Sequence, residues 1–178
     1  MQLELSTQRL SLRPLRLDSL AALHSLWTAE NVRRYLWDGE VIPLEQTREI
    51  LEKNCELFEQ AGFGIWGVRE HGSDALLGFT GYWHFRTPPS LELLFGVAAE
   101  QWSRGIASES SRCVIRYGFE QLDFQRVDAS TDAANTASVR VLEALGMVRD
   151  RRELLEGLDT IFYRQTRNDW TDASEQAR

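Results

Sequence analysis

The stretch "EQWSRGIASESS", residues 100–111, decides how the rest of the chain is read. Trp102, Ser103, Arg104 and Gly105 are followed by Ile106, Ala107 and further small residues that run straight into a helical pattern. Gly105 and its small neighbours let a ligand approach the main chain closely, as backbone recognition of phosphate requires. The first turn of a helix starting here carries N–H groups with no intrahelical partner. The aligned peptide dipoles favour negative charge there by about 0.3–1 kcal/mol when exposed. An anion fits this turn. The stretch is not a P-loop, because G-x-x-x-x-G-K-[ST] is absent, and not a dinucleotide fingerprint, because G-x-G-x-x-G is absent.

Working outward, Ala107, Ser111, Val114, Ile115, Gly118, Phe119 and Leu122 share one helical face, so a helix follows the turn. "LELLFGVA" before it predicts a strand, and "QRVDAST" after the helix predicts another, followed by an Asn135 cap and a helix stopped by Gly146. "MVRDRRELL" and "DTIFYRQTR" close the order as a hairpin around Glu156-Gly157. On the N-terminal side, "TQRLSLRPL" alternates as a half-buried strand, and "SLAALHSLWTAE" is helical. Residues 31–43 read as a loop by Asp38-Gly39 and Pro43, and Leu44 to Gln60 as a helix. "GFGIWGVRE" and "ALLGFTGYWHF" then form a hairpin. The resulting order, β-α-α-β-β-β-α-β-α-β-β, describes a mixed sheet flanked by helices, α/β bordering α+β, with about seven strands and about four helices.

Composition narrows the function classes. The chain has 178 residues, which suits one domain over 1–170 with a frayed tail at 171–178. Hydrophobic content of 43% and charged content of 26% are those of a globular protein, and no apolar run approaches the roughly 18 residues of a membrane span. A net charge of -7 argues against a wide nucleic-acid footprint. Two cysteines and three histidines, none at metal-ligand spacing, predict no metal site, and the N-terminus lacks a secretory pattern, which points to the cytoplasm. Oligomeric state, monomer or homodimer, is not encoded in any of these patterns.

"ELLFGVAAEQWSRGIASES" followed by "QRVDASTDAANTASVRVLEALGMVRD" resembles the GNAT superfamily of acetyl-CoA-dependent N-acyltransferases, in particular the branch of the ribosomal-protein-alanine N-acetyltransferases. That branch often shows E-x-G-Y about ten residues before W-G-K-G-Y-A-T-E, and later N-x-x-S with a G-F. Here Glu92 lies ten residues before Trp102, residues 102–109 stand for the loop, and Asn135, Ser138, Gly146 and Met147 fill the later motif. The match spans residues 7 to 170. Ser103 replaces a usual Gly and Leu94 replaces the Gly of the Glu strand, while Gly105 is retained.

The resemblance implies a mostly antiparallel central sheet in which two parallel strands splay to admit acetyl-CoA. Its diphosphate would lie at the helix start, with Val97, Trp102, Ser103, Arg104, Gly105, Ile106, Ala107, Asn135 and Ser138 contacting the cofactor. Asn135 reads equally as a helix N-cap and as a pantetheine partner. Ser138 would supply a hydroxyl to the departing thiolate, whose intrinsic pKa near 8.5 needs only modest acid assistance. The acceptor is harder. An alkylamine of pKa about 10.4 is neutral in roughly one molecule in two thousand at pH 7, and a peptide α-amine near 8 about a tenth of the time, so a base helps both. Glu92 is the carboxylate the motif places for this, and His84 is a rival. Tyr35, Trp37, Trp83 and His84, with Trp66 and Phe85, are aromatics available to wall an amine acceptor. The expected activity is acetyl transfer to a primary amine, of a protein N-terminus or a small molecule. A non-catalytic CoA-binding regulatory module is the alternative, kept open by Ser103, Leu94 and the lack of a tyrosine in the Ser138 helix.

Overall fold

The structure is a computed structural model and describes residues 3–85 and 90–170. The frayed tail expected at 171–178 lies outside the described residues. Strands β1 (Leu5–Ser6) and β2 (Leu10–Pro14) lead through helices α1 (Leu20–Thr28), α2 (Glu30–Leu36) and α3 (Leu44–Ala61) to β3 (Ile65–Glu70). β4 (Gly78–Phe85), β5 (Ser90–Val97), α4 (Ile106–Glu120), β6 (Arg126–Asp132), α5 (Thr136–Ala144), β7 (Val148–Leu155) and β8 (Leu158–Thr166) follow. Among the described residues no helix is long and apolar enough to cross a membrane.

The strands form one eight-stranded sheet in the order β1-β2-β3-β4-β5-β6-β8-β7, antiparallel throughout except for β5 against β6. The eighth strand is the two-residue β1, which pairs Leu5 with Leu12 and is too short to show an alternation in the sequence. A second difference is α2, where residues 31–43 read as a loop. Val32 is buried and Leu36 packs beside it on the α1 side, so a single apolar turn at i, i+4 is enough once α1 is there to receive it. Ala29, with ψ 133, breaks the helical path between α1 and α2.

Each face of the sheet has its own core. On one face, Tyr82, Leu93, Val127, Ala129 and Tyr163 pack against Val114 and Ile115 of α4 and Leu142 of α5. On the other, Ile65 and Phe79 meet Leu23 and Trp27 of α1, Val32 of α2 and Leu51 of α3. Fully buried Asn54 of α3 ties the second layer down: its amide donates to Leu15 O (2.8 Å) and Ile65 O (3.1 Å), and its Oδ1 accepts from Ile65 N (2.6 Å). The consequence for the site lies between β5 and β6. They meet at Glu92 opposite Asp128, and no other β5–β6 pairing is present among the described residues. Beyond that point the two strands diverge, leaving main-chain groups on facing edges without a ladder.

Candidate active site

Gly105 caps α4 with φ 74, a left-handed conformation that a Cβ would penalise. Glu109 N bonds back to Gly105 O (3.0 Å), so the helix proper begins there and the amides of Ile106, Ala107 and Ser108 have no carbonyl one turn earlier. Ser103, where the resembling loops carry Gly, also has positive φ, at 60, at a cost of about 1 kcal/mol for a residue with a Cβ. Trp102 folds over the strand it follows: its Nε1–H donates to Val97 O (3.0 Å), and the ring is 54% exposed.

A cavity of about 810 Å³ starts at this turn, runs along the gap between β5 and β6, and ends under α2 and the β7–β8 turn. Glu92 lines it where the strands part. The side chain is only 3% exposed, with Oε1 accepting from Ser90 Oγ (3.1 Å) and Oε2 from Ser130 Oγ (2.7 Å). Two hydroxyl donors in a buried setting hold the carboxylate in one orientation. On the β6 side, Asn135 Oδ1 accepts from Ser138 N (3.1 Å), so Asn135 is the N-cap of α5, and both residues line the cavity.

The far end is acidic. Asp38, Asp132 and Glu156 line it with Tyr35, whose hydroxyl donates to Ala134 O (3.4 Å) and so bridges α2 to the loop after β6. Burial, and then the charge of Asp38, hold the Asp132 carboxyl above its usual range. Three carboxylates lining one end of a cavity favour a positively charged occupant.

Comparison with known proteins agrees with this geometry. Residues 9–148 match the family described as acetyltransferase (GNAT) domain. The chain belongs to the GNAT acetyltransferase family. It is 25% identical over 152 residues, 82% of this chain and 85% of the relative, to the uncharacterized N-acetyltransferase p20 of Bacillus licheniformis. YoaA of Bacillus subtilis, also an uncharacterized N-acetyltransferase, is 26% identical over 147 residues, 82% of this chain and 83% of that one. In fold the chain is similar to a GNAT acetyltransferase from Bacillus anthracis (TM-score 0.78, 23% identity, covering 93% and 99% of the two chains). It is similar also to RimL, a ribosomal L7/L12 alpha-N-protein acetyltransferase solved with coenzyme A (TM-score 0.76, 19% identity, 92% and 97%). The protein is thus an acetyl-CoA-dependent acyltransferase of the GNAT fold.

Within this GNAT frame, the residues expected from sequence separate into two groups. Glu92, Val97, Trp102, Ser103, Gly105 and Ile106 line the cavity, as do Ala107, Asn135, Ser138 and Tyr35. Arg104, Trp37, Trp83 and His84 do not. Arg104 donates from its guanidinium to Glu70 (2.9 Å) and to Gln101, and of these two partners only Gln101 lines the cavity. Trp37 packs edge-on against Trp27 in the second core. Trp83 lies directly opposite Glu92 across the β4–β5 pair and packs in the same core. His84 lies opposite Leu91, so strand alternation puts it on the other face of the sheet from Glu92, beside Phe63. Of the other two aromatics, Phe85 lines the cavity, whereas Trp66 is fully buried and donates to Leu3 O (2.6 Å). Sequence reasoning missed Asp38, Asp132 and Glu156. Asp132 had one available signal: it ends a strand on the side where the parallel pair opens, the usual place for ligands in parallel sheets.

Proposed function

We propose that the protein transfers acetyl from acetyl-CoA directly to a primary amine, of a protein N-terminus or a small molecule, in a ternary complex. The supporting observation is a single cavity that joins an anion-receptive helix start, a gap between splayed parallel strands and an acidic end. In this reading the diphosphate lies against the amides of Ile106, Ala107 and Ser108, and the pantetheine runs in the gap beside Asn135. The acetyl group then reaches the level of Glu92. The acceptor enters from the side of Asp38, Asp132 and Glu156, which attract its cationic form. A cytoplasmic setting goes with this reading, since Cys55 and Cys113 are both free thiols.

Glu92, held by Ser90 and Ser130, accepts the proton that the ammonium must lose, directly or through water. The neutral nitrogen then attacks the thioester carbonyl carbon. Main-chain N–H groups on the β6-facing edge of β5 stabilise the oxyanion as it forms. When the C–S bond breaks, the sulfur takes a proton from the Ser138 hydroxyl, and the proton shed by the attacking nitrogen as it becomes an amide restores that hydroxyl through water. No covalent enzyme intermediate is involved; burial pushes the Cys113 thiol up and leaves it a poor nucleophile.

The test is thiol release from acetyl-CoA with a panel of N-terminal peptides, polyamines and aminoglycosides. On the best acceptor, Glu92→Gln is expected to lower kcat by about 10²–10³ and Ser138→Ala by about tenfold. Saturable coenzyme A binding without acceptor-dependent thiol release would instead make the protein a binding module.

A further inference from the structure

Arg9 stands one residue before β2, distant in sequence from α4, yet its side chain reaches the turn where α4 begins. Its Nε–H donates to Glu109 Oε2 (2.7 Å), and Nη2 lies 2.5 Å from the same oxygen and donates to the main-chain carbonyl of Arg104 (3.1 Å). The Arg9 amide also donates to Glu109 Oε1 (3.3 Å), which the Thr7 hydroxyl approaches at 2.5 Å. The turn's other arginine is tied to the same end of the sheet, with Arg104 held by Glu70, the β3 partner of Leu10.

We propose that Arg9 is a positioning residue for the diphosphate-binding turn, holding the Arg104–Gly105 peptide in place and keeping the Glu109 carboxylate off the amides of α4. The inference rests on the reading that the coenzyme A diphosphate binds at this turn. Two physical points carry it. The carbonyl and N–H of a trans peptide point in opposite directions, so anchoring Arg104 O to Arg9 directs the Gly105 N–H away from Arg9. Glu109 sits in the first turn of a helix whose open amides are to receive an anion. A carboxylate free to swing there would compete for those amides and repel a diphosphate. Burial raises the Glu109 carboxyl, but hydrogen bonds from Thr7 and Arg9 outweigh it and hold the group below its usual range, so it carries its charge at neutral pH. The Arg9 side chain is 51% exposed, and an ion pair so open to solvent adds little to folding.

The experiment compares the parent with Arg9→Met and Arg9→Lys, using acetyl-CoA and S-acetylpantetheine, a donor thioester that lacks the diphosphate. Arg9→Met is expected to raise the KM for acetyl-CoA, and the Kd for coenzyme A by calorimetry, about tenfold, the effect of losing a forked charge-assisted contact. Its kcat should stay within about twofold of the parent, and its kcat/KM for S-acetylpantetheine should be unchanged. Arg9→Lys keeps the charge without the fork and should fall between. Unchanged coenzyme A affinity, an equal loss with both donors, or a fall confined to kcat would overturn the inference while leaving the acetyltransferase reading standing. No heat from coenzyme A with the parent protein would overturn both.

Discussion

Gly105 and Gly81 show how different two glycines of one chain are. At Gly105 a Cβ would meet only Arg9 Nη2, at 3.6 Å, so space is available and the constraint is the backbone, with φ 74. At Gly81 a Cβ would stand 2.1 Å from Gly64 O and 2.6 Å from Ile65 Cα, main-chain atoms that cannot rotate away. Gly105→Ala is therefore expected to cost about 1–2 kcal/mol, and Gly81→Ala about 2–4 kcal/mol, read as shifts of the denaturant midpoint at constant slope. The turn at Gly105 was legible from sequence as the start of a helix, because a glycine before small residues and a helical pattern is a local signal; its left-handed conformation was seen only in the structure. The requirement at Gly81 was not legible, because Gly64 O reaches it only through the β3–β4 pairing.

β6 ends in Asp132, whose carboxyl the fold holds above its usual value by burial and by Asp38. A carboxyl raised on folding binds its proton more tightly folded than unfolded. Its contribution to stability is therefore greatest below the unfolded value and is lost as pH rises towards the folded one. Asp132→Asn should raise the melting temperature at pH 7, and that advantage should disappear as pH falls below the ordinary carboxylate range. The same variant should raise the KM for a cationic acceptor about fivefold, the worth of one partly solvated ion pair. A melting series in pH, paired with acceptor kinetics, checks both. If the melting temperature at pH 7 fell, the account of Asp132 would fail. Strand alternation also decides between the two bases considered from sequence. Glu92 and His84 lie on neighbouring strands, but register with Trp83 and Leu91 respectively places them on opposite faces, and only Glu92 lines the cavity.

The described residues form two cores, one on each face of a sheet that parts between β5 and β6. A ligand lying in that gap and gripping α4 and α5 together is bound by the folded chain alone. Coenzyme A at a hundred times its Kd should add about 2.7 kcal/mol, a rise in melting temperature of roughly 5–10 °C for a chain of this size. Thermal scans with and without coenzyme A measure it, and no rise would count against the gap as its site.

The sequence by itself determined the order of strands and helices apart from β1 and α2, and placed a helix start just after Gly105, while its resemblance to a family grouped Glu92 with Asn135 and Ser138. The elements rest on hydrophobic period, capping residues and short spacings, which are properties of adjacent residues, and the grouping rests on the resemblance alone. Only the tertiary structure decided that Arg104 turns to Glu70, that Trp37 and Trp83 serve the second core, and that Asp38 faces Asp132. It also brought Arg9 to Glu109. The physical reason is that these contacts join residues far apart along the chain. They are set by which strands pair and in what register, and no local periodicity carries that information.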